Sequence, residues 1–556
     1  MRTVSWWVLL IGILLGAMAL RLYGLDWDDG IGAHPDERFV VGVAESLDWP
    51  RVLNPFDVAP DFAYGHLPLY VLALLGAVSG GGDLLLAGRA LAALLDVGSV
   101  ALTCALARQI YGRRVGLLAA ALLGVTVLHV QQAHFYTVDV VLTFCSLGAL
   151  LFAARFAQNG RPVAAWLAGA WAGLALGCKL SAGLLAVPLW MACFVAPAKK
   201  QARWGWALEM TGAALALFVV TNPFALVDFA RFRGNVALQS AIVRGVFDVP
   251  YTRQFHGTWP YVYPVLQQLR WGMGWLLGGA AFGGLFYTLG RVIQRQSRRG
   301  EWVLLAWLVP GIAFFGALYV KFPRYLLPFT PLLAICAAHF LVDLGCWRTA
   351  SPERRRASRS GSRRRVVVLL AALVFLAALG RCLALVGRYS ASHPWTAASR
   401  WFYEHAPAGA VIAVEQWDHP LPLDAMRYDV RQLPMFDEET LEKWSVIEDI
   451  LAQSDYVVVA SRRGYGALAR WPTRYPRTTR YYRQLFEGEL GFETAACFGR
   501  APRLGPIAIV DDVAGGLDFA LPARCQPDAA FVWRVGRLDE SFVVYDHPQA
   551  VIFAQR

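Results

Sequence analysis

Repeated stretches of roughly 18 or more apolar residues constrain this chain most, because that length carries a helix across about 30 Å of hydrocarbon. The first runs from about Val4 to Leu20. Further spans read near 84–110, 115–134, 140–157, 163–179, 182–197, 205–222, 269–290, 301–319, 325–345 and 366–386. With 57% hydrophobic and 17% charged residues, the sequence is too apolar for an ordinary soluble domain. Leu67–Ala77 is apolar but too short to span, and reads as a juxtamembrane or re-entrant helix. The expected fold is therefore a polytopic α-helical membrane protein of about eleven transmembrane helices.

Charge sets the expected orientation. Arg2 precedes the first span, and the connectors Tyr111–Arg114, Asn159–Pro162, Lys199–Arg203, Arg291–Arg299 and Arg354–Arg365 are basic. All fall on one side, which the positive-inside rule makes cytoplasmic. The first span ends in a small-x-small pattern, Ala17-Met18-Ala19, but its length and the spans that follow favour a retained helix over a cleaved signal peptide. The loops at 21–83 and 223–268 then face outward, as does the tail. The reading is a multi-pass protein of a bacterial-type inner membrane, with a cytoplasmic N-terminus, a transmembrane module over 1–388 and an extracytoplasmic α/β domain over 389–556. In that tail the short apolar runs Val411–Val414, Tyr456–Ala460, Ile507–Val510 and Phe542–Tyr545 read as strands, with a helix over Glu438–Leu451. The Tyr- and Arg-rich tract Trp471–Phe486 suits either a lid near headgroups or a solvated surface. The net charge of +12 reflects membrane-surface loops rather than nucleic-acid binding.

Nine cysteines offer no CxxC spacing. Seven of them, including Cys346, lie in or beside apolar runs and read as small buried hydrophobes. Cys497 and Cys525 are able to pair if the tail is outside, and spacing leaves that open.

The polar chemistry gathers on one side. His34-Pro35-Asp36-Glu37-Arg38 places two carboxylates just after the first span, where charge near a bilayer is costly unless hydrated or used. Asp139 opens the apolar run after Gln131–Val138, either as a helix cap or as a second acid facing the same mouth. Lys179 and Arg324 add cations on that side, and His66 and His256 are weaker candidates. Carboxylates with cations at a membrane surface suit a lipid-phosphate substrate. The cations bind phosphate, arginine by a planar fork, and a carboxylate takes the proton of an attacking hydroxyl.

These residues also carry a family likeness. His34-Pro35-Asp36-Glu37, Tyr64-Gly65-His66-Leu67-Pro68-Leu69-Tyr70, Gly88-Arg89-Ala90, His134–Asp139, Gly177-Cys178-Lys179 and Arg324-Tyr325-Leu326-Leu327-Pro328 resemble, in order, motifs of the GT-C membrane glycosyltransferases. The likeness is to bacterial relatives of protein O-mannosyltransferases and lipid A aminoarabinose transferases, and it covers roughly residues 1–345. The resemblance implies an inverting transferase moving a hexosyl or pentosyl group from a polyprenyl-phosphate donor to a hydroxyl on a protein, glycan or lipid. It implies Asp36 as general base, Glu37 shaping the same pocket, Asp139 orienting the acceptor or supporting the base, and Lys179, Arg324, Tyr325 and His66 at the donor phosphate. His66 stands where the family usually offers lysine. The tail segment Glu540–Pro548 resembles the ending of bacterial glycosyltransferase-like membrane proteins and assigns no chemistry to Asp546 or His547.

Two other readings stay open on sequence. A transporter or flippase would use the carboxylates as ion sites, but matching halves are absent. A metal-dependent hydrolase or phosphotransferase would use His34, Asp36 and Asp139 as ligands, and a divalent metal stays open as a cofactor.

Overall fold

The computed structural model describes residues 3–48, 51–80, 82–197, 199–344 and 361–556. Cys346 and most of the basic run Arg354–Arg365 lie outside them. The chain divides into two compact units. One comprises Met1–Leu25, Pro35–Ser240 and Trp259–Cys382, and the other Asp26–His34, Ala241–Thr258 and Leu383–Arg556.

The first unit is helical. Its elements are α1 (Thr3–Leu22), α2 (Pro35–Ser46), α3 (Pro55–Val58), α4 (His66–Ser79), α5 (Leu84–Tyr111), α6 (Arg113–Gly124), α7 (Val127–Gln132), α8 (Val138–Asn159), α9 (Pro162–Leu176), α10 (Ala186–Val195), α11 (Lys200–Thr221), α12 (Phe224–Val227), α13 (Phe229–Val243), α14 (Val262–Gln267), α15 (Trp275–Ile293), α16 (Arg299–Ala317) and α17 (Thr330–Leu344), and α18 (Gly361–Val386) continues into the second unit. Among the described residues, eight helices are long and apolar enough to cross a membrane. The other three expected spans are shorter or interrupted. The 115–134 run breaks at Val125-Thr126 into α6 and α7, 163–179 yields the 15-residue α9, and 182–197 opens as a 3-10 turn, Leu180–Leu185, before α10. Many apolar side chains on α1, such as Trp7, Val8 and Leu15, are exposed, as expected of a surface that meets lipid tails.

One buried cluster of charge in this bundle is paired. Arg21 donates to Asp96 at 2.7 Å and to the carbonyl of Gly124 at 2.9 Å, and Asp96 also meets His129 Nδ1 at 2.7 Å. All three side chains are buried, so the triad ties α1, α5 and α7 in a medium where a lone charge is disfavoured. Elsewhere small residues let backbones touch. A Cβ added at Gly169 would lie 2.4 Å from the carbonyl oxygen of Met210, and one at Gly173 2.5 Å from that of Ala214. These glycines, four residues apart on α9, seat α11 as in other small-xxx-small pairs.

The second unit is α/β. Strands β1 (Val411–Glu415), β2 (Asp429–Leu433), β3 (Tyr456–Val459), β4 (Phe492–Phe498) and β8 (Ala550–Gln555) form a sheet in the order β2-β1-β3-β8-β4. Strand β1 is parallel to β2 and β3, while β8 runs antiparallel to β3 and β4. A smaller sheet orders β5 (Arg503–Leu504), β6 (Ile507–Val510) and β7 (Phe531–Arg534). The helices are α19 (Pro394–His405), α20 (Leu441–Ala452), α21 (Arg463–Ala467) and α22 (Pro476–Glu487). Three of the expected strands appear as β1, β3 and β6. The fourth, Phe542–Tyr545, does not, because Asp539 accepts from Ser541 N and the Glu540 carbonyl accepts from Val543 and Val544, winding the run into a buried turn. The Tyr- and Arg-rich tract has two faces: Tyr475, Tyr481, Tyr482, Leu485 and Phe486 belong to the core of this unit, while Arg474, Arg477, Arg480 and Arg483 are exposed. Cys497 and Cys525 form a disulfide with a Cα separation of 5.4 Å. Asp546 is buried, paired with Arg388 and accepting from the Tyr389 hydroxyl at 2.9 Å.

At the carboxyl end of β1, Glu415 is 3% exposed, and burial pushes its carboxyl up to about 8. Ionisation is disfavoured only in the folded state, so folding takes up a proton. Stability therefore falls as pH rises from the ordinary 4.5, and this loss is complete above about 8. Glu415→Gln should melt higher than wild type above pH 8, with the difference vanishing below pH 4.5, in detergent melting curves across that range. Gly173→Leu should cost about 1–3 kcal/mol through overpacking. Gly212→Ala on α11, whose new Cβ meets nothing within 4 Å, should leave the melting temperature unchanged or raise it.

Candidate active site

Two neighbouring acids on α2 face different ways, because successive helical residues turn by about 100°. Glu37 turns inward and is 0% exposed. Arg89 of α5 grips it bidentately, Nε to Oε1 at 3.0 Å and Nη2 to Oε2 at 2.8 Å, and Tyr136 N donates to Oε1 at 2.8 Å. The same guanidinium donates to the carbonyl of Leu25 at 2.9 Å. Glu37 thus fastens α2 to α5 and to the loop that leads into α8.

Asp36 turns to the other side and meets Arg324, Oδ2 to Nη2 at 2.9 Å. Arg324 stands at the start of a 3-10 turn, Pro323–Phe329, where Pro323 and Pro328 withhold amide donors and the tighter turn precedes α17. Its Nε lies 3.7 Å from Asp139 Oδ2, and Lys179 Nζ donates to Asp139 Oδ1 at 2.9 Å. Asp139 occupies the first turn of α8, yet its carboxylate serves these cations. Lys179 also lies 4.8 Å from the centre of the Tyr325 ring. Asp36, Arg324, Asp139 and Lys179 thus form one chain of alternating charge. Asp139 is nearly buried, while the side chains of Asp36 and Lys179 retain 26% and 23% exposure, so the cluster is sheltered but reachable.

Backbone pairing explains how Lys179 arrives there. Gly65 N donates to the Cys178 carbonyl at 2.9 Å and Leu67 N to that of Gly177 at 3.0 Å. A Cβ at Gly65 would sit 2.1 Å from the Gly177 oxygen, so only glycine allows the strap. The strap sets Tyr64 in the field of the cluster. Burial first, then the Asp36 and Asp139 carboxylates, raise its phenol well above 10, while Arg324 opposes them. Beside Asp139 and Lys179 lies a narrow crevice of about 10 Å³, walled by Trp307, Phe315, Tyr325 and Phe329.

The remaining expected residues lie elsewhere. His66 is buried among Phe56, Phe62, Tyr70 and Phe224, and neither ring nitrogen has a hydrogen-bond partner among the described residues. Burial pulls it down to about 4, so the imidazole is neutral at pH 7. His34 belongs to the second unit, with its ring 4.5 Å from that of Tyr545. Among the described residues, no group of three or more His, Cys, Asp or Glu is arranged to hold a metal ion.

Comparison with known proteins bears on the fold. Residues 65–225 match the family described as dolichyl-phosphate-mannose-protein mannosyltransferase, a stretch that holds Arg89, Asp139 and Lys179. No curated protein sequence matches the chain. Among solved structures, the Archaeoglobus fulgidus oligosaccharyltransferase in its apo form superposes with a TM-score of 0.54 at 14% identity, covering 86% of this chain and 73% of that one. ArnT from Cupriavidus metallidurans, solved with undecaprenyl phosphate, gives 0.51 at 17% identity over 84% of this chain and 95% of that one. The chain has the GT-C glycosyltransferase fold. Tyr64 and Arg89 lie within the sequence motifs, but only the folded structure shows their contacts. The 52-residue separation of Glu37 from Arg89 hides their pairing from any local pattern.

Arg89→Met alone leaves a buried, unpaired carboxylate and should cost about 3–5 kcal/mol. Arg89→Met with Glu37→Met should recover part of that loss. Thermal unfolding of both single variants and the double variant in detergent gives the coupling; additive losses would mean that the pair is not a clamp.

Proposed function

We propose that this chain is an inverting glycosyltransferase that moves a sugar from a polyprenyl-phosphate donor to a hydroxyl acceptor on the non-cytoplasmic face of the membrane. The chain of charge from Asp36 through Arg324 and Asp139 to Lys179 carries the reading. The two cations suit a phosphate, with Arg324 offering the planar fork and Lys179 a point charge. Trp307, Phe315 and Phe329 beside them give the apolar wall that a lipid tail next to the phosphate would pack against.

Asp36 is the partly exposed acid on α2 and the candidate base. The acceptor O–H gives its proton to the Asp36 carboxylate as its oxygen bonds to the anomeric carbon. The bond from that carbon to the phosphate oxygen breaks in line, and its electron pair leaves with the polyprenyl phosphate, whose charge Arg324 and Lys179 stabilise. A single displacement inverts the anomeric centre. Asp139 holds both cations in place, and Glu37 positions Asp36 from behind. A divalent metal remains a proposal without an assigned ligand set. The mannosyltransferase family match and the undecaprenyl phosphate bound in ArnT support the donor class.

Purified protein supplied with labelled polyprenyl-phosphate sugars and hydroxyl acceptors should transfer the label with inverted configuration. Asp36→Asn should lower the rate by about 10²-fold or more, the usual contribution of a general base. Equal transfer by both proteins, or retained configuration, would remove Asp36 as base, and release of free sugar to water alone would indicate a hydrolase.

A further inference from the structure

The segment just before α15 winds as a π-turn, Gln268–Gly272, in which the Gln268 carbonyl accepts from Met273 N at 2.8 Å. Turns of this kind are rare and often stand beside functional sites. The side chain that opens the turn is buried and reaches away from it. Gln268 Nε2 donates to the carbonyl of Pro323 at 3.4 Å, across 55 residues of sequence. We infer that Gln268 is a positioning residue for Arg324, the group proposed to bind the donor phosphate. This inference rests on the transferase reading above.

The peptide unit supplies the link. Pro323 O and Arg324 N belong to one rigid plane, so a bond to that oxygen restrains the direction in which the Arg324 backbone sets out. Pro323 has no N–H, which leaves the carbonyl as its one hydrogen-bonding group. The 3-10 turn that it begins has poorer hydrogen-bond geometry than an α-helix, so outside support matters there. From this start Arg324 Nη2 reaches Asp36 at 2.9 Å, with its guanidinium 4.7 Å from the centre of the Phe322 ring. A carbonyl only accepts, so the carboxamide nitrogen has to face Pro323 and its oxygen has to face away.

That oxygen is the second observation. Gln268 Oε1 is buried and has no hydrogen-bond partner among the described residues, an arrangement that costs stability. A methionine would fill similar space without an orphaned acceptor. Stability therefore does not account for a glutamine here, whereas the contact with Pro323 does. The turn is shaped around the carboxamide, since a Cβ added at Gly272 would lie 2.4 Å from Oε1. Arg381 of α18 also fastens the turn, donating to the Arg270 carbonyl with its guanidinium 5.2 Å from the centre of the Trp271 ring.

The test uses the full-length protein in detergent and reads equilibrium binding of a short polyprenyl phosphate together with the melting temperature. Gln268→Met should weaken binding about three- to tenfold, the factor for one hydrogen bond, with the melting temperature unchanged or raised. Gly272→Ala is the second variant. It keeps the glutamine but pushes the free end of the carboxamide aside, and should weaken binding to the same extent. In an Arg324→Met background both changes should leave affinity within about twofold, because the group they position is gone. Wild-type affinity in both variants would overturn the inference. A loss that persists in full without Arg324, or a lowered melting temperature in Gln268→Met, would mark the residue as a support of the fold and overturn it as well. Wild-type protein that binds no polyprenyl phosphate, or Arg324→Met that binds it as well as wild type, would instead overturn the transferase reading.

Discussion

The buried pair of Glu37 and Arg89 is the constraint on which the rest of this site depends. An ionised carboxylate with 0% exposure is tolerable only when its lone pairs are filled, and here two guanidinium contacts and the Tyr136 amide fill them. The bidentate grip fixes the rotation of α2 about its axis. Once Glu37 is locked inward, Asp36 one residue earlier faces Arg324. The Tyr136 contact extends the same control three residues on to Asp139, because it pins the loop from which α8 begins.

What the clamp positions is a balanced set of charges rather than a lone base. Two carboxylates and two cations share a partly sheltered cluster, with Arg324 between Asp36 and Asp139. Without a donor, the guanidinium is satisfied by carboxylate oxygens. On the proposed function, the donor phosphodiester offers it similar acceptors at the same single charge, and the charge that grows on the departing phosphate strengthens the contact, so donor binding and release of Asp36 would be one exchange of partners. His66, neutral and enclosed by Phe56, Phe62, Tyr70 and Phe224, adds no charge to this set.

Much of this architecture is legible in the sequence, for definite physical reasons. Hydropathy marks the long spans because lipid imposes a length. Charge collects Asp36, Asp139, Lys179 and Arg324 into one set because ionised groups in an apolar chain are few. Other features depend on partners far along the chain. Nothing local to Asp36-Glu37 says which acid turns inward, since Arg89 decides it. His66 reads as a cation candidate until Phe56, Phe62 and Phe224 close around it. The 115–134 run looks continuous, yet α7 is a separate piece tied through His129 to Asp96. In the C-terminal unit, Phe542–Tyr545 has the composition of a strand, but the Asp539 cap turns it. The tyrosines of Trp471–Phe486 are amphipathic enough for a surface and are instead used as core.

The central claim is a division of labour, with Arg324 holding the donor phosphate and Asp36 taking the acceptor proton. Equilibrium binding of a short polyprenyl phosphate to the wild type, Arg324→Met and Asp36→Asn separates the two roles. The account predicts about 10- to 100-fold weaker binding for Arg324→Met, the loss of a charged hydrogen-bond pair. It predicts unchanged or tighter binding for Asp36→Asn, since the guanidinium loses a competing carboxylate. Wild-type affinity in Arg324→Met, or equal weakening in both variants, would contradict it.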